Sequence, residues 1–109
     1  DSENGRVVKF DRFGNFQHEL GKEVLSEPAG VCLGPRGTLV VADLEYHRVV
    51  VFDLESGEVA GHIGGPDAGK GPMVFHKPRD VVMGKQGMLY ILDAGNSRVQ
   101  QIQVLVSRK

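Results

Sequence analysis

The chain has no tryptophan, a single cysteine, no excess of either charge and no long apolar run. Each absence excludes something. Cys32 alone cannot close an intrachain disulfide, which speaks against a small disulfide-stapled secreted domain and favours a reducing, cytoplasmic setting. Thirteen Lys and Arg against fourteen Asp and Glu give a net charge of −1. That balance excludes a protein that coats nucleic acid by bulk charge, while a local basic face stays open. No segment approaches the roughly 20 apolar residues that a membrane span needs. The polar stretch from Asp1 to Arg6 does not read as a signal peptide. Four histidines, His18, His47, His62 and His76, lack the spacing of a local zinc motif. No phosphate loop, nucleophile elbow or Ser-His-Asp arrangement stands out. No catalytic residue, metal or cofactor is therefore expected in this segment.

What the chain does have is a threefold pattern. An Asp, four residues, Arg-Val, two residues and a large apolar residue recur at Asp1–Phe10, Asp43–Phe52 and Asp93–Ile102. A longer match supports it. Pro28 to Asp43 aligns without a gap on Pro78 to Asp93, with Gly34 matched to Gly84 and Gly37 to Gly87. Self-similarity at this period signals a modular fold, in which most recurring residues are architectural.

Fifteen glycines and short β-branched runs point to an all-β protein with tight turns. Each unit reads as four strands, a to d. Strand a is expected near 29–33 and 79–83, strand b near 38–43 and 88–93, strand c near 6–10, 48–53 and 98–104, and strand d near 16–20 and 58–63. Gly34 to Gly37 and Gly84 to Gly87 read as hairpin turns that use glycine where φ is positive. The runs Leu39–Ala42 and Val49–Phe52 are apolar throughout instead of alternating, as strands covered on both faces are. Four-stranded antiparallel units stacked face to face in this way are propeller blades. The chain divides into a partial blade with strands c and d (1–27), a complete blade with a long d–a loop (28–77), and a last blade with strands a, b and c (78–109). That is about two and a quarter blades, which do not close a ring alone.

The segments Phe75-His76-Lys77-Pro78-Arg79-Asp80-Val81 and Ala42-Asp43 through Arg48-Val49 resemble the NHL repeat. The resemblance covers essentially the whole chain and implies an NHL-type β-propeller, similar to the C-terminal NHL domain of TRIM–NHL proteins. Two positions depart from the pattern: Tyr46 stands where Asn is usual, and Asp80 replaces Gly. The resemblance implies a non-catalytic recognition module, with ubiquitin-ligase activity, if any, elsewhere in a longer parent. The alternative is a piece of an NHL-like propeller enzyme, of the peptidyl-amidating lyase or lactone hydrolase type. Such lyases hold zinc through histidines around the proline that opens strand a. Here Ala29, Arg79 and Val74 occupy those positions and cannot ligate zinc.

Candidate functional residues follow from where the copies differ. Arg6 and Arg48 lie 42 positions apart, Arg48 and Arg98 lie 50 apart, and the extra residues fall within 64–77. Insertions in repeat proteins collect on one face, often the binding face. The Gly-rich part of this segment reads as a flexible connector, since it lacks the strand and helix of a phosphate loop. Cations near the d–a and b–c loops, Lys22, His47, Lys70, His76, Lys77 and Arg79, with Tyr46 as a stacking surface, form the expected binding set. A protein or peptide partner is the first expectation and RNA the second. The remaining blades of a parent propeller, or other copies of this chain, are expected to cover the end faces; no membrane is expected. The charged pairs Asp1–Arg6, Asp43–Arg48 and Asp93–Arg98 are expected to be structural, because a fastener repeats with the architecture and a binding site need not.

Overall fold

A computed structural model of the chain describes residues 7–10, 16–20 and 25–104, the first two segments as backbone alone. The described regular structure is β except for short 3-10 turns. Strands β1 (Val7–Phe10) and β2 (Phe16–Leu20) form an antiparallel pair. Strands β3 (Pro28–Leu33), β4 (Thr38–Asp43), β5 (Arg48–Asp53) and β6 (Val59–Gly64) form a four-stranded sheet in chain order. Strands β7 (Pro78–Met83), β8 (Met88–Asp93) and β9 (Arg98–Gln103) form a three-stranded sheet, also in chain order. These sheets are open, as expected of a propeller fragment, and do not close into a ring. The observed strands agree with the expected ones to within a residue or so at each end.

The hairpin turns repeat along with the strands. Positive φ falls on Arg36 and Gly37 in one turn and on Gln86 and Gly87 in the other. Backbone bonds close them in the same way, Gly34 N–H to Thr38 O at 2.9 Å and Gly84 N–H to Met88 O at 2.7 Å. Each strand a also begins with the same bulge, between Pro28 and Gly30 and between Pro78 and Asp80.

The core sits between the two larger sheets. Val40, Ala42, Val49 and Val51 of β4 and β5 meet Val81, Leu89 and Ile91 of β7 and β8, with Phe75 of the connecting loop buried among them. The opposite face of the four-stranded sheet carries a second cluster, Leu25, Leu39, Val41, Val50 and Phe52. Strand β4 is therefore buried at every position, which is why its sequence does not alternate. Strand β9 does alternate between half-buried and exposed, because only one of its faces is covered. Strands β3 and β7 lie side by side at the inner edge. Gly30 matters there: a Cβ at that position would collide with the Asp80 carboxylate and the β7 backbone. The acidic departure at Asp80 is thus accommodated by a residue without a side chain on the neighbouring strand.

Candidate functional site

The b–c turns (44–47 and 94–97) and the loop 65–77 lie at one end of the two sheets, beside the start of strand a in each. This end is built on two buried carboxylates. Asp43 Oδ1 accepts from the Ser26 N–H at 2.8 Å, the Ser26 hydroxyl at 2.7 Å and the Glu27 N–H at 2.9 Å. Its Oδ2 accepts from Arg48 Nε at 2.9 Å. Asp93 has the same place in the third repeat. Oδ1 accepts from the His76 N–H at 2.7 Å, and Oδ2 accepts from Asn96 Nδ2 and Arg98 Nε, each at 2.9 Å. Burial raises the Asp93 carboxyl, but the hydrogen bonds from His76, Asn96, Arg98 and Gln100 outweigh it and hold the group below the usual carboxylate range. Each aspartate therefore joins the end of strand b, the start of strand c and the segment entering strand a. The first pair, Asp1 and Arg6, lies outside the described residues.

The third repeat extends its fastener to the inserted loop. Asn96 Nδ2 also donates to Gly69 O at 2.6 Å. Arg98 Nη2 donates to Gly71 O and Val74 O, both at 2.9 Å. Gln100 Nε2 donates to Val74 O at 2.9 Å, while its Oε1 accepts from the Met73 N–H at 3.1 Å. Gly69 N–H closes the loop on Phe75 O at 3.0 Å. The inserted segment, expected as a flexible connector, is instead bound along its length to the next sheet. Buried Phe75 holds one end by packing. Gly65 holds the other: its φ is +67°, and a Cβ there would strike Tyr46 O.

These anchors place most of the expected binding residues. Tyr46 is exposed in its turn; its N–H donates to the Ser26 hydroxyl at 3.1 Å, and the Arg48 guanidinium lies 5.1 Å from its ring centroid. His47, with φ of 52°, accepts the Lys77 N–H on Nδ1 at 3.0 Å, and its ring meets His76 edge-on at 5.4 Å. In the second repeat the matching amide, that of Glu27, bonds to its own Asp43. In the third it is diverted to a histidine of the preceding repeat, which ties the two units together. Lys70 lines a shallow cleft of about 300 Å³ with Gly95, Asn96, Ser97 and Arg98. Arg79 is exposed on β7 and makes no ion pair among the described residues. Tyr46, His47, His76 and Lys77 thus form one contiguous group, Lys70 lies in the cleft beside Arg98, and among the described residues no hydrogen bond or ion pair joins Arg79 to either. Lys22 falls outside the described residues.

Sequence reasoning missed the anchoring role of Gln100, Asn96 and Ser26. A signal for Gln100 was present: it stands where the second repeat has buried Val50, a polar residue in an otherwise apolar register. Among the described residues no group of three potential metal ligands occurs, and no helix is long and apolar enough to cross a membrane.

The NHL repeat family model matches residues 25–52 and 75–102, which are the two units built on Asp43 and Asp93. The chain belongs to the NHL-repeat family. It is similar to the B-box type zinc finger protein ncl-1 of Caenorhabditis elegans, 29% identical over 49 residues that make up 45% of this chain and 6% of that protein. It is 31% identical to NHL repeat-containing protein 2 of Gallus gallus over 82% of this chain and 13% of the relative. NHL-repeat-containing protein 4 of Mus musculus is 26% identical over 85% of this chain and 66% of its own length. The chain thus spans a small part of the first two relatives and about two thirds of the third. The NHL repeats make it a protein-interaction type of module; which molecule it engages is a further question.

Proposed function

We propose that this NHL segment is a recognition module that binds a protein or peptide through the end formed by the two b–c turns and the 65–77 loop. One observation carries the reading. Asn96, Arg98 and Gln100 fix the inserted loop in place, so a stable, non-repeated surface stands on a repeated scaffold. A loop ordered before binding loses little entropy on complex formation. Exposed Tyr46 offers the kind of aromatic anchor that dominates protein interfaces. Exposed Met73 on the same loop adds an adaptable apolar contact. Should the segment sit in a longer protein of the B-box type, as its likeness to ncl-1 suggests, it would select the target, with any ubiquitin transfer carried out elsewhere in that protein.

Crosslinking mass spectrometry on complexes captured by the full chain tests this. Crosslinks from Lys70 and Lys77 to one protein partner are expected, and Tyr46→Ala together with Lys70→Glu should abolish them while the far-ultraviolet circular dichroism stays unchanged. Crosslinks confined to Lys85, at the opposite end of the sheet, would overturn the reading. Capture that disappears on ribonuclease treatment and falls steeply with salt would replace the protein partner with RNA.

A further inference from the structure

The segment that enters strand a is fastened differently in the second and third repeats. In the second, the Glu27 N–H donates to Asp43 Oδ1 at 2.9 Å, and Glu27 is not left-handed. Its counterpart in the third is Lys77. The Lys77 N–H donates instead to His47 Nδ1 at 3.0 Å, and the Lys77 backbone is left-handed, with φ of 53°. A lysine is strained in that region, where its Cβ crowds the following carbonyl, so the bond to His47 holds a backbone that would otherwise relax. His47 itself is presented by a fixed turn: its N–H donates to Leu44 O at 3.3 Å, and a Cβ at Gly64 would lie 3.0 Å from its carbonyl oxygen. A second acceptor for the Lys77 amide is close by. Asp43 Oδ1 takes the consecutive amides of Ser26 and Glu27, whereas Asp93 Oδ1 takes only the His76 N–H among the described residues. The two-amide grip of the second repeat is thus left half made in the third.

We infer that His47 is a pH-operated clasp between the two repeats: neutral, it holds Lys77 in the left-handed state; protonated, it releases Lys77, whose amide then turns to Asp93 as that of Glu27 turns to Asp43. A backbone amide only donates, so Nδ1 must be the bare nitrogen of a neutral ring whose proton sits on Nε2. Protonation puts a second N–H at Nδ1, and two donors then face each other. Histidine is the side chain whose charge ordinarily changes between about pH 5 and 8. Asp93, held below the usual carboxylate range, stays charged and able to accept throughout. The titratable and charged neighbours of His47 are Glu45, Tyr46 and Arg48 on its own turn and His76 and Lys77 on the segment opposite; Gly64 and Gly65, at the end of β6, bring none. A charge on His76 as well, its ring 5.4 Å from that of His47, pushes the clasp in the same opening direction. The change is local, because Gly95 N–H to His76 O at 2.7 Å and His76 N–H to Asp93 keep the adjoining residue in place. A small charge change acting on a backbone with two arrangements is how pH switches work. The clasp lies at the end proposed for recognition, but it is a contact within the chain and stands whether or not that end binds a partner.

Nuclear magnetic resonance of the 109-residue chain, titrated from about pH 8 to about pH 5, is the test. The amide and Cα shifts of Lys77 should move from left-handed to extended values in step with the ring signals of His47, while the Gly34 and Gly84 turn amides stay where they are. His47→Asn keeps an acceptor in the place of Nδ1, suits a left-handed backbone and does not titrate. In that variant Lys77 should stay left-handed over the whole range. Lys77→Gly removes the strain of the closed state, so the step should move to lower pH by about half a unit. Both positions lie at the surface end of the sheets, and circular dichroism should show the β-structure retained in both variants. Lys77 signals that do not change between these pH values in the wild type, a step that survives in His47→Asn, or a step that fails to move down in Lys77→Gly would each overturn the inference.

Discussion

The second and third repeats use the same aspartate to do different amounts of work. Asp43 gathers two backbone amides, one hydroxyl and Arg48, and its bonds end within a short entry segment. Asp93 gathers one amide, Asn96 and Arg98, and those side chains reach on to carbonyls of the inserted loop. The difference turns on two positions. Where the second repeat has Tyr46 and Val50, the third has Asn96 and Gln100. In the third repeat the donors of Asn96, Arg98 and Gln100 hold the inserted loop; in the second, Tyr46 at the position of Asn96 is exposed. Recurring residues build the scaffold, and the residues that break the repeat decide what it presents.

The most severe way to break this comparison is to remove the shared part. Asp43→Ala and Asp93→Ala should each cost about 3–5 kcal/mol in urea unfolding, since each leaves a guanidinium and buried amides without their acceptor. Near-neutral behaviour of either would mean that the aspartate is not the fastener.

Acid provides a graded version. The folded-state pKa of Asp93 is lowered, so its contribution is present above the unfolded value of about 3.9 and is lost as pH falls through the folded pKa. The melting temperature should therefore drop on acidification below about pH 4. Asp93→Asn should flatten that part of the profile, and an unchanged acid limb in the variant would contradict the assignment.

Smaller changes separate the two repeats. Asn96→Ala or Gln100→Ala should cost about 1–2 kcal/mol and raise proteolysis within 66–74, while the second repeat keeps its protection. The mildest is His47→Ala. It removes the acceptor of an exposed Lys77 amide and should cost about 0.5–1 kcal/mol, read as faster exchange of that amide and little else.

Much of the fold was legible because periodicity and turn chemistry are local. The gapless match from Pro28 and Pro78 to Asp43 and Asp93 gave the strands, and the unbroken runs Leu39–Ala42 and Val49–Phe52 gave the stacking of sheets. The site was less legible. Gly-rich composition in 64–77 suggests freedom, and nothing in the segment itself announces the side chains more than twenty residues later that remove it. His47 was visible only as a candidate cation, yet its ring serves as an acceptor for the neighbouring repeat. Such roles depend on which donors tertiary packing leaves over, and a single sequence does not state that.

The central claim is that the loop 65–77 is a fixed surface rather than a free connector. Amide hydrogen exchange of Gly69, bonded to Phe75 O, and of Met73, bonded to Gln100, measures it directly. Exchange slowed to the level of the Gly34 and Gly84 turn amides, and released in Asn96→Ala with Gln100→Ala, is the predicted result. Exchange of both amides at the rate of an unstructured chain in the wild type would contradict it.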